Sequence, residues 1–259
     1  MAVPVTETEK LSPLYKYYEM DMTPPAPECY MCAEAPMPPG FALPPQDMDR
    51  LFEDGYLPAR SGYALLPDGT IMVANCVVMP GVTTDMFDWW FAWHGLEPLR
   101  YKIWDRDEHY YCLTRNPEKA FDQSLPMRER YRDTIHDVKE AMYPDGPVMD
   151  IAINFRNPAD IGFSPEKLDG FEGTIVCAGN EREPVIMCHF LRPVPGGSEL
   201  NTRFWMGYCV KDGGPAKAIP DGATFPVESA IELLRHSIKE YTNLAALLPK
   251  VYAEYRDRF

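Results

Sequence analysis

Val227-Glu-Ser-Ala-Ile-Glu-Leu-Leu-Arg-His236-Ser-Ile-Lys-Glu240-Tyr-Thr-Asn-Leu-Ala-Ala-Leu-Leu-Pro249-Lys-Val-Tyr-Ala-Glu254 carries the helical periodicity around which the 259-residue chain is organised. Ile231, Leu234, Ile238, Tyr241, Leu244, Ala245 and Leu248 recur at three- and four-residue intervals. That spacing predicts a long helix, from near Pro226 to about Leu248, with an apolar stripe facing a core; Pro249 should kink or restart it. Within the helix, His236 and Glu240 stand four apart, so their heads can reach a common point one turn above the other. A neutral imidazole and a carboxylate converging in this way form half of a divalent-metal site. The same spacing also serves simply to stabilise a helix.

Ahead of the helix the chain changes texture several times. Residues 1–60 are Pro-rich, with Thr-Pro24-Pro25-Ala-Pro27 and Ala-Pro36-Met-Pro38-Pro39-Gly40. Repeated proline blocks long helices and central strands. An extended arm or small subdomain is expected here, with one short helix near Gln46–Asp54 and a contact to a second subunit. Residues 61–259 form the main domain. Gly62–Leu66, Pro67-Asp68-Gly69 and Thr70–Met79 read as strand, tight turn, strand. Thr83-Thr84-Asp85 caps a helix over Met86–His94, ended by Gly95. Residues 108–115 are strand-like and 116–147 polar and mixed. Val148–Phe155, Gly173–Ala178, Val185–Leu191 and Arg203–Val210 then follow at antiparallel meander spacing. Strands followed by one long apolar-striped helix give an α+β fold, a curved antiparallel sheet covered on one face by the helix, with a cavity between them.

Composition narrows the function. The net charge of −14 repels phosphate backbones and argues against nucleic-acid binding. No apolar run of ~18 residues is present, so no membrane span is expected. Seven cysteines, an odd number, sit partly inside apolar runs such as Val-Ile-Met-Cys188-His-Phe. Reduced thiols in a cytoplasmic protein are expected, and no signal peptide is read at the N-terminus. Cys29-Tyr-Met-Cys32 has no second Cys or His pair to complete a zinc site and reads as two incidental thiols. There are five histidines. His94 ends the Trp-rich helix, His109 lies in a charged turn, His136 stands in Thr-Ile-His-Asp and His189 lies within a strand.

Three motifs resemble the 2,4-diacetylphloroglucinol hydrolase family, which includes phloretin hydrolase. They are Phe87-Asp-Trp-Trp-Phe-Ala-Trp-His94-Gly-Leu-Glu-Pro-Leu-Arg100-Tyr-Lys-Ile-Trp104, Arg203-Phe-Trp-Met-Gly207, and His236-Ser-Ile-Lys-Glu-Tyr-Thr-Asn243-Leu-Ala-Ala-Leu-Leu-Pro249. The likeness runs from about Gly62 to Glu254. It implies a helix-grip fold, like pollen-allergen and START domains, with a smaller N-terminal part used in a homodimer. It also implies a zinc-dependent hydrolase that cleaves the carbon–carbon bond between an acyl group and a phloroglucinol ring. The family's Zn2+ is held by two His and two Glu. His94, His236 and Glu240 match by motif, and Glu129 is taken as the fourth ligand and a proton shuttle. His189 matches a strand histidine of the substrate pocket and is a candidate for proton transfer. Glu97, Arg203, Trp205, Tyr208 and Trp90 are candidates for lining that pocket around a small aromatic ketone. The alternative function is a non-catalytic carrier of aromatic or lipid molecules, since the same cavity architecture serves both.

Overall fold

Alternation of apolar side chains pairs eight strands into one antiparallel sheet. In the computed structural model, which describes every residue except Met1, Asp54 and Tyr56, these are β1 Gly62–Leu65, β2 Ile71–Pro80, β3 His109–Thr114, β4 Ile135–Glu140, β5 Met149–Arg156, β6 Thr174–Asn180, β7 Val185–Val194 and β8 Gly197–Met206. Their order across the sheet is β1-β2-β8-β7-β6-β5-β4-β3. The expected Pro67-Asp68-Gly69 turn joins β1 to β2: Asp68 accepts from the Thr70 amide at 3.1 Å and Gly69 takes φ +84°. The expected run Arg203–Val210 is broken by Gly207, whose φ of +99° is open to glycine and strained for other residues. Beyond it, β9 Tyr208–Lys211 pairs with β10 Gly214–Lys217 in a separate hairpin.

The helices comprise α1 Glu7–Lys10 and α2 Tyr15–Glu19 near the N-terminus, α3 Thr84–Trp93, α4 Pro98–Lys102, two single turns (α5 Pro117–Ala120 and α6 Pro165–Leu168), and the long α7 Val227–Tyr255. Thr83 caps α3 as expected, its hydroxyl accepting from the Met86 amide at 3.2 Å. Gly95 does not stop that helix in a left-handed turn. It lies in the 3-10 turn His94–Leu96, and a Cβ there would meet Cε1 of His136 at 2.5 Å. α7 continues through Pro249 instead of ending there. Of its stripe, Leu234, Ile238, Tyr241, Leu244, Ala245 and Leu248 are buried, while Ile231 is half-buried. Full burial of each large side chain is worth roughly 1.5–3 kcal/mol. Asn75 on β2 donates to Ser237 of α7 at 3.1 Å, a polar tie inside that packing. This is the helix-grip arrangement: a sheet with a long C-terminal helix laid across one face.

The sheet's other face is covered by the Pro-rich arm of the same chain. Leu43, Met48, Leu51 and Ala59 pack with Met72, Cys188 and Trp205. The expected helix near residue 46 is a 3-10 helix over Pro45–Phe52, and Asp54 lies outside the described residues. Cys29 and Cys32 lie on another 3-10 segment, Pro27–Ala33, as free thiols. Among the described residues no helix is long and apolar enough to cross a membrane.

Gly95→Ala forces a methyl into the His136 ring and is expected to cost about 1–3 kcal/mol as an overpacked core. Urea unfolding measures this; an unchanged midpoint contradicts the close approach.

Candidate functional site: a cavity under the C-terminal helix

Between α7 and the sheet lies a cavity of about 430 Å³, in the range of small-ligand sites. Strand parity decides what lines it. On β8, Phe204 and Met206 face the cavity, while Arg203 and Trp205 point to the opposite face. On β7, Met187 and His189 face in, and Ile186, Cys188 and Phe190 face out. On β4, His136, Val138 and Glu140 face in.

At one end of the cavity four potential ligands gather. His236 and Glu240 of α7 stand one turn apart, with Nε2 and Oε2 4.0 Å from each other. His109, the first residue of β3, brings its Nε2 to 3.4 Å from His236 Nε2 and 3.6 Å from Glu240 Oε2. Glu140, the last residue of β4, has Oε2 3.9 Å from His109 Nε2. Four ligands at bond lengths of about 2.0–2.2 Å around a tetrahedral centre stand roughly 3.3–3.6 Å apart, so the set is slightly open but of the right size. Both imidazoles are oriented from behind. His109 Nδ1 lies 3.3 Å from the Tyr101 carbonyl, and His236 Nδ1 lies 2.6 Å from Glu108 Oε2. With both Nδ1 protons donated outward, the two Nε2 lone pairs face each other beside two carboxylates, an arrangement that calls for a cation. Lys239 neutralises the supporting acids, reaching Asp105 at 2.9 Å and Glu108 at 2.7 Å. Tyr101 stacks on His109 with ring centres 3.8 Å apart and donates its hydroxyl to Glu140.

Electrostatics match the geometry. Burial works to lower the pKa of His236, but Glu240, the bond to Glu108, and Glu140 override it and raise the group to about 10. Burial, reinforced by the charge of His236, holds His109 far below its ordinary range. Burial pushes the Glu240 carboxyl well up, against the pull of His236 and with the push of Glu140. In the absence of a metal ion, a proton on His236 is the cation that the cluster retains.

The remaining expected residues fall elsewhere. His94 lines the cavity but groups with Cys112 and His136, not with His236 and Glu240. Its Nδ1 lies 2.9 Å from the Trp90 carbonyl. Glu129 sits on a 3-10 turn, 35% exposed, paired with Arg132 at 2.6 Å, and does not join the cluster. The carboxylate facing the site comes instead from β4, inside the polar and mixed stretch 116–147. His189 does line the cavity, its Nδ1 2.9 Å from Thr202 Oγ1 and its Nε2 2.7 Å from the Tyr241 hydroxyl. Burial lowers its pKa to about 3, so the ring is neutral.

None of the five expected pocket residues lines the cavity. Glu97 pairs with Arg100 at 3.4 Å. Trp90 is core, 6.0 Å from the His94 ring. Arg203 donates to the Ala59 carbonyl at 2.8 Å and Trp205 to that of Leu43 at 2.7 Å, both fastening the arm. Tyr208 donates to Asp68 at 2.9 Å. His109, Glu140, Tyr101 and Tyr241 were missed. For Glu140 a signal existed in the alternation of His136, Val138 and Glu140.

The family described as DAPG hydrolase PhiG domain matches residues 43–253. The chain belongs to this family. It is 38% identical over 266 residues to the phloretin hydrolase of Eubacterium ramulus, covering 99% of this chain and 95% of that protein. It is 30% identical over 271 residues to the 2,4-diacetylphloroglucinol hydrolase of Pseudomonas protegens, covering 94% of this chain and 84% of that one. Two solved structures each align over 70% of the chain: the KanY protein in solution, at 13% identity and a TM-score of 0.40, and Ara h 8.0201, at 10% and 0.43. The named relatives of the family are hydrolases, and this chain is an enzyme of that class.

Because the folded, metal-free protein holds the His236 proton more tightly than the unfolded chain does, that proton stabilises the fold. The contribution is complete below about pH 6.5 and disappears as pH rises through about 10. Chelator-treated protein should lose stability across this window, and His236→Gln should lose less. Parallel curves for the two proteins by urea unfolding refute the assignment.

Proposed function

We propose that the enzyme is a zinc-dependent hydrolase that cleaves the carbon–carbon bond joining an acyl group to a phloroglucinol ring, releasing a carboxylic acid and the ring. The observation that carries the metal is the convergence of His109, His236 and Glu240 within 3.4–4.0 Å of one another, with Glu140 beside them. The donors fit zinc: two imidazole nitrogens oriented by hydrogen bonds from behind, and two carboxylates. When bound, zinc polarises a carbonyl and lowers the pKa of water from about 16 toward about 7.

The chain's own residues supply the rest. An aryl carbanion is a poor leaving group, but a phloroglucinol ring protonated at the acyl-bearing carbon becomes a β-diketone, and the departing group is then an enolate that regains aromaticity. The ring therefore needs a proton managed at one carbon. His189 and Tyr241, hydrogen-bonded at 2.7 Å on the cavity wall, hold a proton beside the space for the ring. Neutral His189 also serves as a hydrogen-bond partner for a ring hydroxyl. Tyr101 fixes the Glu140 carboxylate and shields His109 from water. Met142, Met149, Met187, Phe204 and Met206 make the far wall apolar and adaptable. That wall suits a long acyl chain ending in an aromatic ring better than an acetyl group. A passive carrier has no use for two carboxylates and two imidazoles aimed at one buried point, each costly when unpaired.

The enzyme as purified should contain one zinc per chain and convert phloretin to phloroglucinol and the aryl-propanoic acid, with a lower KM than for diacetylphloroglucinol. Glu140→Gln and His109→Ala should each lower zinc affinity by at least ~10–100-fold and abolish turnover, while Glu129→Ala keeps both. Zinc and activity retained in Glu140→Gln, or lost in Glu129→Ala, overturn the ligand set.

A further inference from the structure

Beyond that ligand set, a second cluster of atoms able to bind a metal lies beside the same cavity, two of its three residues on the wall, and takes no part in the reaction described. His94, Cys112 and His136 are all buried, each offering one ligand atom within 4.8 Å of the others. Cys112 Sγ lies 3.7 Å from His136 Nδ1, close to the separation of roughly 3.5 Å that a sulfur and a nitrogen take on one tetrahedral zinc. His94 is already oriented as metal-binding imidazoles are. Its Nδ1 is committed to the Trp90 carbonyl at 2.9 Å, which leaves Nε2 free as an acceptor. Burial lowers its pKa to about 4, so a ligand-competent neutral ring is the resting form. The absent side chain at Gly95 lets His136 pack close to the turn that carries His94. His94 and His136 line the cavity, so an ion can enter from it and a fourth ligand can face it.

We propose that His94, Cys112 and His136 form a second, thiolate-containing site for a zinc-type d10 ion, separate from the His109–Glu140–His236–Glu240 cluster. On binding, the Cys112 thiol releases its proton to solvent as the metal–sulfur bond forms, and the two imidazoles bind through neutral nitrogens. The site has the three protein ligands and open position of a non-structural zinc site. Because it sits on the wall of the substrate cavity, an ion held there occupies space that the substrate needs. The consequence is inhibition by metal in excess of one equivalent.

Cobalt(II) distinguishes the two sites, because only the second contains sulfur. Added to protein already holding one zinc, Co2+ should give a thiolate-to-cobalt charge-transfer band in the near ultraviolet, and excess Zn2+ should bleach it. Cys112→Ser should remove the band and relieve inhibition by excess zinc while retaining the first zinc. His94→Gln should weaken cobalt binding at least tenfold. A Cys29→Ser/Cys32→Ser protein, lacking the exposed CxxC thiols, should keep the band. No band, or a band that survives Cys112→Ser and vanishes with Cys29 and Cys32, overturns the second site. Zinc content measured in Cys112→Ser reports the first cluster separately, so failure of one assignment is not read as failure of the other.

Discussion

The hydrogen bond from His236 to Glu108 governs the chemistry of the cavity. It occupies Nδ1 at 2.6 Å and so turns Nε2 toward His109, Glu240 and the open space. Glu108 can be buried in this role only because Lys239, one turn along from Arg235 on the same helix, closes on Glu108 and Asp105. The charged turn Asp105-Arg-Asp-Glu108 is thus a scaffold. Asp105 and Glu108 face inward to hold α7, and Arg106 faces outward, binding the carbonyl of Met20 at 3.0 Å and Asp21 at 3.1 Å. The chain reversal that delivers His109 to the sheet edge is secured by the same contacts that orient its partner histidine.

The fold was legible in sequence because it depends on periodicity. The α7 stripe, the Pro-Asp-Gly hairpin, the Thr83 cap and most meander strands follow from spacing and turn chemistry, and α7 contributed His236 and Glu240 directly. What escaped was the part of the sheet whose inward face is polar. Ile135-His-Asp-Val-Lys-Glu140 alternates correctly for a strand, but His136 and Glu140 occupy the buried parity, so the stretch reads only as polar and mixed. His109 escaped for a related reason, since four charged neighbours look like solvent-facing turn. Glu129 looked suitable by approximate position, yet it points to Arg132 at the surface. Local propensity and global placement disagree most where a protein binds or reacts.

The same parity separates the aromatic motifs by role. Arg203 and Trp205 belong to a recognisable family motif, but both lie on the face that holds the arm, where their donors satisfy the carbonyls of Ala59 and Leu43. The arm lacks regular strands, so its carbonyls would otherwise be buried without partners at a cost of about 1–3 kcal/mol each. Phe204 and Met206, their immediate neighbours, line the cavity. The tryptophans of α3 likewise fill core, Trp89 stacking on Trp93 at 4.7 Å, and their helix matters to the cavity chiefly through His94 at its end. A motif therefore marks a stretch, and the pleat of the sheet decides which half of it meets the ligand.

Charge supplies the final constraint. Asp105, Glu108, Glu140 and Glu240 gather around one ammonium and one protonated imidazole, all largely removed from water. A cluster assembled only for stability would be better replaced by apolar side chains of similar volume. Here burial raises the Glu240 carboxyl well above its usual range while the acids raise His236. Those opposed shifts come from crowding acids and an imidazole around one buried point. On the proposed zinc reading, an ion held by His109, Glu140, His236 and Glu240 would take the place of the His236 proton among these acids. The sheet edge that carries His109 and Glu140 and the buried packing of α7 hold the four side chains at one point before any ligand binds.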